Sequence, residues 1–258
     1  MKKNVLLTIT VLFLFGTLGL QVRAQEKQKQ KQQLWFCQTE KVKPAKLAQY
    51  YEVSKEIAEL CKTANFSFSF YMWQTNDMNF ELWTPIDSIS DISKIFEAWK
   101  KFDVPEEMDK KFHETLESFS YSIFSFNYKY SFPPKNNVLI PEETNYCRWQ
   151  EIQYQVGTYN ELSLIMDKMM ELQKEFGIKD NLFYSINGII GFDHPNFILA
   201  ELAENRKTFE ENQENAMSKF TDEQKKKLEE INLKILGHAN KYKMKELYKL
   251  PNLSYVKH

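Results

Sequence analysis

The chain has 258 residues, 43% of them hydrophobic, with 20 Phe and 13 Tyr, so it can bury one large core or two ordinary ones and is not a disordered segment. Seven glycines argue against a phosphate-cradling glycine-rich loop, and a formal charge of −1 argues against a nucleic-acid partner.

Residues 1–24 read as a secretory signal: Lys2 and Lys3, an apolar run from Val5 to Leu20, then Val22-Arg23-Ala24 as a small-x-small cleavage site. Cleavage after Ala24 implies a periplasmic or secreted protein with no membrane anchor. It removes three bases and no acid, moving the formal charge from −1 to −4. Residues 25–33 form a Gln/Lys-rich tether.

The ordered part divides at Pro133-Pro134 and Pro141 into residues 34–132, a linker over 133–143, and residues 144–258. Leu34 to Val42 reads as a strand. Pro44 suits the first turn of a helix carrying Leu47, Tyr50, Ile57 and Cys61 at helical spacing. Phe66 to Pro85 is an aromatic hairpin, with Phe66, Phe68, Phe70 and Met72 on one face and Tyr71, Trp73 and Trp83 on the other. Two helices follow, near 90–102 and after Asp103, which reads as the N-cap. A long strand, 119–132, closes the half.

The second half repeats this order: a strand over 146–156, a helix opened by Thr158, a hairpin over 182–199, and two helices, the last opened by Thr221-Asp-Glu-Gln224. Its final strand is predicted at Asn252 to Val256. Leu47 and Leu162, and Asn79-Phe80 and Asn196-Phe197, recur at shifts of 115 and 117, which marks an internal repeat. The fold class is therefore α+β: two tandem ferredoxin-like βαββααβ repeats packed sheet to sheet as an intrachain α-β barrel pseudo-dimer. A fused pair needs no second copy, so a monomer or weak homodimer is expected.

Val42-Lys43-Pro44-Ala45-Lys46-Leu47, the hairpin ending Thr84-Pro85-Ile86, Phe96-Glu97-Ala98-Trp99 and the closing Leu250-Pro251-Asn252-Leu253-Ser254-Tyr255 resemble the dimeric α-β barrel families, particularly exported proteins of the NIPSNAP-like branch. Such families include oxygenases, haem enzymes and proteins without known activity, so the resemblance carries fold more than function.

Candidate site residues are scattered. Leu228, Ile231, Ile235, His238 and Tyr242 share a helical stripe that would aim His238 at the sheet, and in haem-binding relatives a helix-borne histidine ligates iron. A core histidine bonded to a carbonyl is the competing reading. Glu81 and Glu151 sit in strands among aromatics, where a carboxylate facing a pocket would titrate high and act as a base; an outward-facing edge position is the bland account. Tyr71, Trp83 and Tyr184 are candidates to line a pocket for a small apolar or aromatic ligand, although burial between two layers explains them as well. No spacing supports a protein-built metal site. Cys61 reads as a small buried hydrophobe, with a Cys37–Cys61 disulfide left open.

Two function classes remain. The sequence favours a non-catalytic ligand-binding or structural protein of the envelope, with no cofactor, because no convergent polar set is visible. The alternative is a small-molecule oxygenase or haem enzyme, with His238 and Glu151 or Tyr184 as its polar groups.

Overall fold

The computed structural model describes residues 33–132, 140, 142–175 and 182–257. The leader, most of the tether and most of the linker expected from sequence lie outside the described residues, as does His258.

Strand β1 (Leu34–Val42) leads through a 3-10 turn at Pro44–Lys46 into α1 (Leu47–Thr63). Strands β2 (Tyr71–Thr75) and β3 (Asn79–Ile86) form the first hairpin, followed by α2 (Asp91–Lys101), α3 (Glu106–Thr115) and β4 (Leu116–Phe132). The order then recurs as β5 (Tyr146–Tyr154), α4 (Tyr159–Glu175), β6 (Leu182–Ile190), β7 (Asn196–Ala203), α5 (Arg206–Ser218), α6 (Asp222–Gly237) and β8 (Ala239–Lys249). Asn205 caps α5 by accepting from the Thr208 amide at 2.9 Å, and Thr221 and Gln224 form the expected capping box of α6.

All eight strands form one closed antiparallel barrel in the order β1-β3-β2-β8-β5-β7-β6-β4. The two halves are therefore joined by strand hydrogen bonds, β2 to β8 and β4 to β6, and not only by packing of faces. Closure removes every sheet edge and gives each strand an interior and an exterior side chain set.

The interior is aromatic. Trp35, Trp73, Trp83 and Trp149, four of the five tryptophans, pack with Phe124, Phe126, Tyr184, Ile186, Ile198 and Leu247. Trp35 stacks on Phe124 with centroids 6.4 Å apart, and Trp83 meets Trp149 from the opposite half at 5.6 Å. On the outer face, α1 to α3 cover the first half through Tyr50, Met72, Phe80 and Ile95, while α4 and α6 cover the second through Leu162, Met166, Ile231 and Ile235.

Four expectations need correction. The last strand is β8 at Ala239–Lys249 and not 252–256; Pro251–Leu253 is a 3-10 turn, and Tyr255 makes a single bridge to Phe70. The lysine-rich run from Lys241 to Lys249 hid that strand, because Lys243 and Lys245 point into the mouth of the barrel while Tyr242 and Met244 are exposed. The first hairpin begins at Tyr71, since the Phe66 amide still closes the end of α1 through the Cys61 carbonyl at 2.9 Å. Helix α3 starts after Pro105, which takes the N-cap place expected of Asp103. Cys37 lies inside the barrel and Cys61 outside it under α1, so the sheet separates them and both are free thiols.

The barrel interior sets stability. Ile198→Ala, at a fully buried position, is expected to cost roughly 2–5 kcal/mol in urea unfolding. Leu233→Ala on the exposed face of α6 should stay within about 0.5 kcal/mol of wild type.

Candidate functional site

Between the outer face of the first-half sheet and α1 to α3 lies a cavity of about 510 Å³. Its walls are Met72, Leu82, Phe96, Trp99, Phe102 and Phe112, an apolar enclosure suited to an aromatic or aliphatic ligand. Polar groups enter at two places. Glu40 and Gln38, on alternate outward positions near the end of β1, form the floor, and Asp109 and His113 of α3 stand at the rim.

Glu40 is the chemically distinctive residue. Its position on β1 pairs with Phe80 on one side and Phe119 on the other, which places a carboxyl group under the helices. The residue is 1% exposed. Tyr50 from α1 donates to its Oε2 at 2.6 Å, and the Gln38 amide donates to its Oε1 at 2.6 Å. Burial pushes the Glu40 pKa above the ordinary carboxylate value; the hydrogen bonds from Tyr50 and Gln38 offset only part of this. Burial, followed by the neighbouring Glu40 charge, likewise drives the Tyr50 phenol well up. A carboxyl group held this way beside an apolar cavity is poised to take and return a proton. At the rim, His113 Nε2 lies 3.4 Å from Asp109 Oδ1, so an exposed imidazole and carboxylate guard the entrance.

The second half does not repeat this site. Ile152 pairs with Phe197 as Glu40 pairs with Phe80, so an isoleucine stands where the first half has its carboxylate. Ile152, Leu162, Met166, Met170, Ile231 and Ile235 fill the matching space.

The residues singled out from sequence are distributed differently. His238 is the C-cap of α6, with its side chain about a quarter exposed and Nδ1 3.8 Å from Glu161. The helix ends at Gly237, so the stripe expected to continue through His238 to Tyr242 breaks there, and Tyr242 belongs to β8. Tyr71, Trp83 and Tyr184 all face the barrel interior; Trp83 and Tyr184 are fully packed, and Trp83 donates through Nε1 to Glu81 at 3.0 Å. Glu151 lines a separate cavity at one mouth of the barrel, together with Glu81. Sequence reasoning missed Glu40 because its neighbours Thr39 and Lys41 are polar and the stretch reads as a solvated strand end. Only the aromatic partner Phe80 across the strand hints at burial.

No family model and no curated protein matches the chain. Solved structures do. A monooxygenase-like protein from Fusobacterium nucleatum is similar over 89% of this chain and 100% of its own, with 11% identity and a TM-score of 0.54. An anthrone oxidase-like protein is similar over 86% and 92%, with 12% identity and a TM-score of 0.52. A chlorite dismutase variant from Candidatus Nitrospira defluvii matches over 85% and 92%, with 10% identity and a TM-score of 0.50.

The sequence-based preference for a non-catalytic envelope protein is corrected. It rested on the lack of convergent polar groups, yet Glu40, Tyr50 and Gln38 converge beneath an apolar cavity. The similar structures also carry the names of enzymes or enzyme-like proteins, which favours the alternative reading.

A carboxyl group whose folded pKa is raised adds stability below its unfolded value, near 4.5, and loses it as pH rises through the folded value. Unfolding free energies of wild type and Glu40→Gln should therefore diverge from pH 4 upward, the variant gaining on wild type as pH increases. A constant difference over pH 4–8 would show that Glu40 titrates normally. In its α-β barrel, the chain shares the dimeric α-β barrel fold of these monooxygenase-like and chlorite dismutase-like structures.

Proposed function

We propose that this protein is a small-molecule oxygenase acting on an acidic aromatic substrate, with Glu40 as the proton acceptor. The observation that carries the reading is the Glu40 carboxyl group, buried and raised in pKa, at the floor of an aromatic-lined cavity of about 510 Å³. Tyr50 is committed to Oε2, whereas among the described residues Oε1 is met only by Gln38, which itself lines the cavity. A substrate hydroxyl or activated methylene thus competes with one amide for Oε1. Proton removal leaves an electron-rich carbanion or phenolate that reduces dioxygen; a methylene is converted to a carbonyl as the second oxygen atom leaves as water. The phenyl walls exclude water and keep the base strong for its task.

Haem is the cofactor that the fold family suggests, and His238 was its expected ligand. The fit is poor: His238 closes a helix end, contacts Glu161 and adjoins a space filled by Met166, Ile231 and Ile235. No step is therefore assigned to haem.

Each half is read as a ferredoxin-like unit of a NIPSNAP-like tandem protein, a reading supported by the repeated element order and by the runs β4-β1-β3-β2 and β6-β7-β5-β8. Export with cleavage after Ala24 rests on the leader sequence; N-terminal sequencing of protein from its native host should begin at Gln25, and a chain beginning at Met1 would refute it.

Oxygen uptake with 1,8-dihydroxyanthrone as probe tests the activity. Wild type is expected to consume oxygen with no Soret band in its absorption spectrum, and Glu40→Gln to lose about 10²–10⁴-fold in kcat. Full turnover by Glu40→Gln, or turnover that requires added hemin, would overturn the reading.

A further inference from the structure

The barrel interior is packed with aromatic and aliphatic side chains, but one mouth is not. There a cavity of about 330 Å³ is lined by charged and hydroxylated side chains. At its base Lys245 donates to Glu81 and rests 5.0 Å above the Trp149 ring. Glu81 is satisfied on both oxygens, since Trp83 donates to the other. The Lys245 ammonium is not: it has three donors, one of which goes to Glu81, and its side chain is 31% exposed toward the cavity. The Trp149 indole N–H, buried in the same wall, has no partner among the described residues.

Higher in the mouth, Lys243 of β8 and Glu151 of β5 are direct cross-strand neighbours, and both line the cavity. Opposite charges in such register commonly pair. Among the described residues, however, these two form no ion pair with each other or with any other group. Gly191 brings the tip of the β6–β7 hairpin against β4: at φ +81°, a Cβ there would lie 2.5 Å from the Tyr121 carbonyl oxygen. That close approach sets Phe192 across one side of the cavity.

The mouth therefore offers spare cationic donors from Lys245 and Lys243 and, a strand away, the uncommitted carboxylate of Glu151. We propose that this mouth is a second ligand site, distinct from the helix-covered cavity, for a small zwitterion bearing a carboxylate and an ammonium a few bonds apart. The carboxylate meets Lys245 and Lys243, and the ammonium meets Glu151. Both poles are needed, because a lone anion would face Glu151 and a lone cation would face the two lysines.

Isothermal titration of the full chain with 4-aminobutyrate, butyrate and butylamine separates the poles. The zwitterion is expected to bind at least tenfold more tightly than either single-charge probe. Lys243→Gln and Glu151→Gln, both at the open end where folding is not at stake, should each weaken it tenfold or more, while Glu40→Gln leaves it unchanged. Equal binding of butyrate or butylamine, binding indifferent to Lys243→Gln and Glu151→Gln, or no binding by any probe would each overturn the proposal.

Discussion

Hydrogen bonding between Trp73–Thr75 of β2 and Leu247–Lys249 of β8, matched by pairing of β4 with β6, turns two four-stranded sheets into one closed surface. Everything else depends on that closure. An open sheet would leave edges for other chains to pair with, whereas a closed one leaves only two faces. Both faces must then be covered: the inner by side chains from the opposite wall, the outer by helices. The four interior tryptophans fill the first requirement, and Trp83 against Trp149 ties one half to the other through the centre.

This two-faced construction also explains where chemistry is affordable. On the outer face, side chains meet a layer of helices that is not continuous, and a gap there becomes the cavity above Glu40. On the inner face, side chains from eight strands converge, and a cavity opens at the mouth, where Lys243, Glu151 and Asp193 replace aromatic rings. The two carboxylates that go deep are handled differently. Glu81 has a lysine and an indole, so its charge is matched inside the barrel. Glu40 has only neutral donors, and burial pushes its pKa up. A carboxyl group held by a phenol and an amide is placed to exchange a proton.

The halves share an element order but differ in what fills the space under their helices. At equivalent points in the register one carries Glu40 and the other Ile152, and the space above them is hollow in the first and filled by methionine and isoleucine in the second. A filled half stabilises by close packing. A hollow half gives up part of that contribution, which is the usual signature of a ligand site rather than of a scaffold.

The sequence by itself determined the elements and their doubling. Period-two aromatics marked the hairpins, the Thr221 box marked a helix start, and the near-constant shift from Leu47 to Leu162 and from Asn79-Phe80 to Asn196-Phe197 suggested the repeated order of elements. It also placed Tyr71, Trp73 and Trp83 on the face opposite Phe70 and Met72, because alternation along a strand is local geometry. Glu81 and Glu151 stood out as carboxylates among aromatics, and both line the mouth of the barrel. Only the tertiary structure decided which strand is β8, since Lys243 and Lys245 take its barrel-facing positions and Tyr242 and Met244 its exposed ones, a placement set by pairing with β2 and β5. It alone separated Cys37 from Cys61 and showed His238, one of two readings of which was a haem ligand, to be a helix cap. It alone raised Glu40 to prominence, because burial of a carboxyl group is a property of the helices packed above it, residues far away along the chain.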